Sequence, residues 1–250
     1  MNNKLPLTAK MKMADIIHLD YRLIPIIGRF GIEYGFGNKT VSEVCEDYAI
    51  NTSFFIEIIN SYHNHDYFPQ EQLQNFKASL IIKYLSNTHT YYLNVKLPEI
   101  ESYISQIKQE VTVDNRKNID LLSDFFAEYK IELINHLNRE DTDVFPYVEL
   151  LEKAIESNCI SDDVLQIIES KPIDQYANNH ENVELKLSDL KNLIIRYLPP
   201  LVCKDVCQKL LFELFRLESD LEDHTRIEDK VLVPKVKLLE KQVLENCNRK

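Results

Sequence analysis

His136-Leu-Asn-Arg-Glu140-Asp-Thr-Asp-Val-Phe-Pro146 and His224-Thr-Arg-Ile-Glu228-Asp-Lys-Val-Leu-Val-Pro234 are two copies of one pattern. Each has a histidine, a glutamate four residues on, and a proline at the same later offset. Residues four apart on a helix lie one above the other on a single face. Each copy therefore aims an imidazole and a carboxylate at one point. One further histidine stands upstream of each copy, His89 before the first and His180 before the second. Two such helices facing each other, with two histidines from neighbouring helices, make a cage of nitrogen and oxygen donors. That donor set suits iron or manganese better than a sulfur-preferring metal. An imidazole gives one nitrogen to one metal, whereas a carboxylate has two oxygens and can join two. Glu140 and Glu228 are thus the candidate bridging ligands, and His89, His136, His180 and His224 the candidate terminal ones.

Working outward, the rest of the chain reads as all-α. Only 4 glycines in 250 residues argue for long helices with short connections, not for a Gly-looped nucleotide fold. Apolar residues at helical spacing and short links predict an antiparallel four-helix bundle over residues 79–246. Its helices are expected at 79–109 (Ser79 as N-cap, tightened near Pro98), 118–156 (bending at Pro146), 172–198 (Pro172 in the first turn) and 201–245 (containing Pro234). A short helix at 161–169 is expected in the connection between the second and third.

A small helical domain is expected at residues 11–62 and a linker at 63–78. In the small domain, residues 14–30 are helical but interrupted at Pro25, and Gly31, Gly35 and Gly37 mark a turn. Thr40 and Glu43 form a capping box, and a second helix covers 53–61. This outline resembles a helix-turn-helix, yet its second helix offers Phe54, Phe55, Glu57 and Asn60 to a partner. No Lys or Arg lies between Val41 and Ser61, so nucleic acid is not the expected partner. A protein contact, or a homodimer through this domain, is. His63 and His65 in the linker are read as solvated, and Cys203 and Cys207 as small helix-face residues, not a redox pair.

The net charge of -11 also disfavours nucleic acid and anionic membrane, both of which need a positive field. No apolar run is long enough to span a bilayer and the polar start lacks a signal-peptide core, so the expected compartment is the cytoplasm. There is no phosphate loop, nucleophile–base signature or dinucleotide fingerprint of a familiar enzyme.

The order His89, Leu97-Pro98-Glu99, His136-x-x-x-Glu140, Phe145-Pro146, His180, His224-x-x-x-Glu228, Val233-Pro234 resembles the hemerythrin-like HHE family. Within it, the chain resembles the di-iron proteins that repair iron–sulfur clusters after nitric oxide or oxidative stress. Their small N-terminal domain is matched by residues 13–60. The resemblance implies a di-iron cofactor bridged by oxide or hydroxide and a nitric oxide- or dioxygen-derived ligand, with iron–sulfur proteins as partners. An alternative is a dioxygen or nitric oxide sensor or carrier signalling through the N-terminal domain. Two departures stand out. Gly35-Phe36 replaces a Cys-Cys pair of the family, and no histidine lies between His89 and His136, leaving Glu110, Asp114 or water to fill that position. Glu132, one turn before His136, is either a carboxylate orienting a metal ligand or a surface charge.

Overall fold

A proline inside an α-helix lacks the donor for the i→i−4 bond, and its ring strikes the carbonyl four residues back. Among the described residues, three helices of the bundle nevertheless run through a proline. In the computed structural model, which describes residues 5–112, 116–157, 160–170, 172–173, 181–197 and 204–247, each does so by a single π turn. The N–H of Leu97 donates to the carbonyl of Tyr92, that of Phe145 to Glu140 and that of Val233 to Glu228, each five residues back. Pro98, Pro146 and Pro234 follow directly, inside the first turn of the resumed α-helix. The widened turn displaces the carbonyl that the ring would meet, so no sharp kink is needed.

The N-terminal part comprises α1 (Met13–Leu19), α2 (Leu23–Arg29), α3 (Val41–Asp47) and α4 (Thr52–His63), followed by the short α5 (Gln70–Gln74). The chain breaks at residues 20–22, not at Pro25. Pro25 sits in the first turn of α2, where its missing N–H costs nothing. Thr40 and Glu43 exchange the two bonds of the expected capping box, and Asn51 accepts from the N–H of Phe54 to start α4. Gly35 and Gly37 have φ of 105° and 57°, which favours glycine there.

The bundle follows. Its first helix is α6 (Ala78–Tyr91), a π turn and α7 (Leu97–Glu110). Its second is α8 (Arg116–Arg139), a π turn and α9 (Phe145–Glu156). The short α10 (Asp162–Ser170) lies in the next connection. The third helix is α11 (Glu181–Asn192) running into a π turn at Leu193–Tyr197. The fourth is α12 (Lys204–Ile227), a π turn and α13 (Val233–Cys247). Ser79 is not the N-cap of the first helix. The free N–H groups of Ala78 and Ser79 donate to the carboxylate of Glu152 on α9. Pro172 lies outside the third helix, which is described from Glu181 onward.

Around the bundle α7 packs on α8, α8 on α11, α11 on α12 and α12 on α7, with no strand among the described residues. Two apolar cores result. One joins α7, α8, α11 and α12 through residues such as Leu122, Phe126, Leu190 and Leu214. The other joins α6, α9 and α13 to the N-terminal helices through Leu85, Val148, Val236, Phe54 and Ile58. Phe54 and Phe55, exposed in a helix-turn-helix reading, are wholly buried there. Among the described residues no helix is long and apolar enough to cross a membrane.

Candidate metal centre

The candidate ligands lie at the seam between the two cores. His89 is in the last turn of α6, His136 of α8 and His224 of α12, while Glu140 and Glu228 each open the π turn that follows. The proline that forces each π turn therefore also sets where the glutamate points. Ligand atoms of His89, Glu140, His224 and Glu228, all buried, lie within 4.8 Å of one another. The Nε2 atoms of His89 and His224 face each other at 3.2 Å.

Glu140 has a distinct position. Its Oε1 is 3.1 Å from His136 Nε2, and its Oε2 is 3.4 Å from His89 Nε2. Glu228 Oε1 repeats the first contact with His224 Nε2 at 3.1 Å. His136 thus meets Glu140 without being part of the four-residue nest. His180 lies outside the described residues.

The nest fits a cation on its own chemistry. Glu140 Oε2 is buried and has no hydrogen-bond partner among the described residues, an arrangement that is costly unless something positive sits there. Burial, then the charge of Glu228, pushes the Glu140 carboxyl well above the ordinary carboxylate range. Burial holds the His89 imidazole below its usual range, so it is kept neutral with a lone pair to give. A bound cation would reverse the first effect and use the second.

Asp141 was not anticipated. Its Oδ1 lies 3.1 Å from His89 Nδ1, the nitrogen turned away from the nest. Phe145 stacks on the same imidazole, ring centroids 5.4 Å apart and 18° between planes. Tyr92, wholly buried, sets its ring 5.8 Å from that of His224. A carboxylate on the outer nitrogen selects the tautomer that presents Nε2 inward. The signal for Asp141 was the aspartate following the glutamate in both copies, Glu140-Asp141 and Glu228-Asp229.

Other expectations change. Glu132 reaches Lys186 on α11, with its side chain 41% exposed, and is a charge between helices at the surface. Glu110 is exposed at the end of α7, and Asp114 lies outside the described residues. Asn118 precedes His136 by 18 residues on α8, roughly 27 Å along a helix axis, and so lies well away from the centre. His63 is buried, its Nδ1 2.9 Å from Asp20 Oδ2, because Asp20 ends α1 beneath α4. His65 is the exposed one of the pair. Cys207 is half-buried, and Cys203 lies outside the described residues.

The small domain grips the fourth helix near His224 and Glu228. The guanidinium of Arg29 is 1% exposed and pairs with Asp220, one turn before His224. It also lies 4.7 Å from the ring centroid of Tyr91. Arg226 donates to the carbonyls of Ser61 and His65, and Gln74 of α5 donates to the carbonyl of Lys230.

Comparison with known proteins agrees with this geometry. The iron-sulfur cluster repair protein ScdA of Staphylococcus haemolyticus (strain JCSC1435) is 21% identical over 211 residues, covering 84% of this chain and 90% of that protein. Residues 82–236 match the hemerythrin HHE cation binding domain, a span running from before His89 to beyond Glu228. More than half the chain lies in that match, and the protein belongs to the hemerythrin HHE cation-binding family.

Proposed function

We propose that the chain is a non-haem di-iron protein that restores iron–sulfur clusters damaged by nitric oxide or oxidative stress. The observation that carries the di-iron part is Glu140, whose two oxygens turn toward two different histidines, His136 and His89. A carboxylate so placed is suited to serve two cations at once. In this reading His89, His224, Glu140 and Glu228 hold one iron. His136 and Glu140 contribute to the other, with His180 as the further ligand expected from sequence. The repair part rests on the likeness to ScdA over nearly the whole of both chains.

When bound, the iron pair supplies Lewis acidity, one-electron chemistry and open positions for nitric oxide or dioxygen. The chain supplies the rest. Phe145 and Tyr92 keep bulk water off His89 and His224. Asp141 keeps the proton of His89 on the outer nitrogen, so the inner one stays a donor to metal. The partly exposed side at His136 is where a small ligand enters.

The test begins with anaerobic loading by ferrous iron and an iron count. The oxidised form should show the near-ultraviolet absorption of a coupled ferric pair. Loaded protein should then restore the visible absorption of a nitric oxide-treated [4Fe–4S] protein, and Glu140→Ala should not. Clean protein that takes up no iron sinks the reading at its root.

A second reading, a sensor or carrier of dioxygen or nitric oxide, draws on the Arg29–Asp220 pair, which ties the small domain to the helix of His224. It predicts that nitric oxide added to loaded protein alters amide exchange in α2 without any cluster protein present.

A further inference from the structure

Singly exposed apolar side chains are ordinary on a protein surface, but a contiguous set is not. Six large apolar residues of this chain that face solvent converge on one open cavity. Tyr21, Ile24 and Tyr34 come from the small domain, Val95 from the π turn after α6, and Phe212 and Phe215 from α12. They are 36% to 64% exposed and line a volume of about 1030 Å³.

Charges of both signs are buried in this groove, Arg29 and Lys96 at 1% and 10% exposure among them, but those that reach solvent are arginines. Arg22 and Arg216, whose side chains are 47% and 54% exposed, reach solvent at its rim, each also paired with a carboxylate that does not line the groove, Arg22 with Asp20 and Arg216 with Glu213. The acidic lining residues Asp220 and Asp223 are sunk to 14% and 8% exposure, the first against Arg29 and the second near His65 and Arg226. In a chain of net charge -11, an apolar surface whose outward charges are positive is the exception. Tyrosine, phenylalanine and arginine are also the residue types that dominate protein–protein binding energy. A second copy of the chain is a poor occupant. A two-fold contact would bring the same patch of both copies together, guanidinium rims included.

The groove also adjoins the metal-bearing helix. Tyr91 forms part of its floor, and its ring centroid is 6.1 Å from that of Tyr92, the neighbour of His224. Asp220, one turn before His224, is in the floor as well.

We propose that this groove docks an acidic protein segment bearing apolar side chains, presented by the iron–sulfur protein under repair. The identity of the partner rests on the repair reading above; the surface and its charge preference do not. Docking here seats the partner on the helix that carries His224, with the apolar side chains among Tyr21, Phe212 and Phe215 and the carboxylates on Arg22 and Arg216.

The test uses the full iron-loaded chain and, as probe, an acidic [4Fe–4S] ferredoxin before and after nitric oxide treatment. Affinity is measured at low and high salt, alongside cluster recovery and sedimentation. Binding should weaken with salt. Arg22→Glu with Arg216→Glu should lower affinity at least about tenfold, since rim charges govern association and its salt dependence. Phe212→Ser with Phe215→Ser should lower it with the salt dependence retained. Iron content should stay at the wild-type level in both, which shows that the bundle is intact. Unchanged affinity in both double variants overturns the proposal. So does a wild-type dimer that Phe212→Ser with Phe215→Ser splits while ferredoxin binding is untouched. Binding that responds to the variants without cluster recovery supports the groove and overturns the repair reading. Recovery that proceeds equally in wild type and variants overturns the groove and leaves the repair reading standing.

Discussion

The two copies of the histidine–glutamate pattern are alike within each helix and unlike in their surroundings. Both set the histidine Nε2 3.1 Å from an oxygen of their own glutamate. Yet the side chain of His136 is 11% exposed and that of His224 only 2%. The difference comes from cover. The second copy lies under the small domain and α5, held by Arg29 on Asp220, by Arg226 on the carbonyls of Ser61 and His65, and by Gln74 on the carbonyl of Lys230. No such lid covers the first copy among the described residues, and Thr142 and Asp143 beyond it face solvent. Local spacing fixes how a ligand pair points, whereas tertiary packing decides which pair solvent and small molecules can reach.

The largest test of this contrast is Glu140→Ala. Glu140 is the carboxylate whose two oxygens meet two different histidines, His136 and His89, so in the di-iron reading its loss should abolish retention of both irons through gel filtration. His136→Ala should remove the outer iron alone. In the intact protein a chelator should draw iron in two phases, with the outer one first. A single phase for both irons would erase the distinction between the copies.

Next in size is the cover itself. Arg29→Met leaves the carboxylate of Asp220 largely buried with no cation, a change that costs on the order of 3–5 kcal/mol. Urea unfolding should show that loss, and Arg29→Met with Asp220→Leu should recover most of it. If cover sets access, the surviving folded Arg29→Met protein should release its inner iron nearly as fast as its outer one. A loss of stability with unchanged inner release would break the link between cover and access.

Sequence carried the bundle and the gathering of His89, Glu140, His224 and Glu228, because a four-residue spacing repeated with a proline at fixed offset survives any tertiary arrangement. The π turns are not legible in it: Pro98 reads as a kink or a tightening, Pro146 as a bend and Pro234 as merely inside its helix, since nothing in one residue says that the preceding turn will widen to accept it. Asp141 was missed for a related reason. On an ideal α-helix it lies about 100° round from Glu140, and its approach to His89 depends on another helix. His63 was read as solvated because the buried acid it meets, Asp20, is 43 residues away. Glu110 was weighed for the centre because spacing along a chain does not show which end of a bundle a residue occupies.

A smaller effect should follow from Asp141→Asn, which keeps the shape beside His89 and removes the charge. Partners on the outer nitrogen of a metal-bound histidine are worth about 10–100-fold in affinity. The inner iron should therefore bind more weakly by that factor, measured by competition with a chelator, while the outer iron changes little. An equal loss at both irons would mean that Asp141 acts on the π turn as a whole and not through His89.

The smallest change is expected at Glu132. It stands one turn from His136, close enough in sequence to be taken for a carboxylate that orients a ligand. Its partner is Lys186 on α11, and both side chains are more than a third exposed. Such pairs are screened by water and salt and contribute about 0–1 kcal/mol. Glu132→Ala should therefore shift the urea midpoint slightly at low salt and not at high salt. Iron content and both chelator phases should match the wild type. A faster outer phase in Glu132→Ala would show that the exposed copy draws on charges beyond its own histidine and glutamate, and would narrow the difference between the two copies from the outer side.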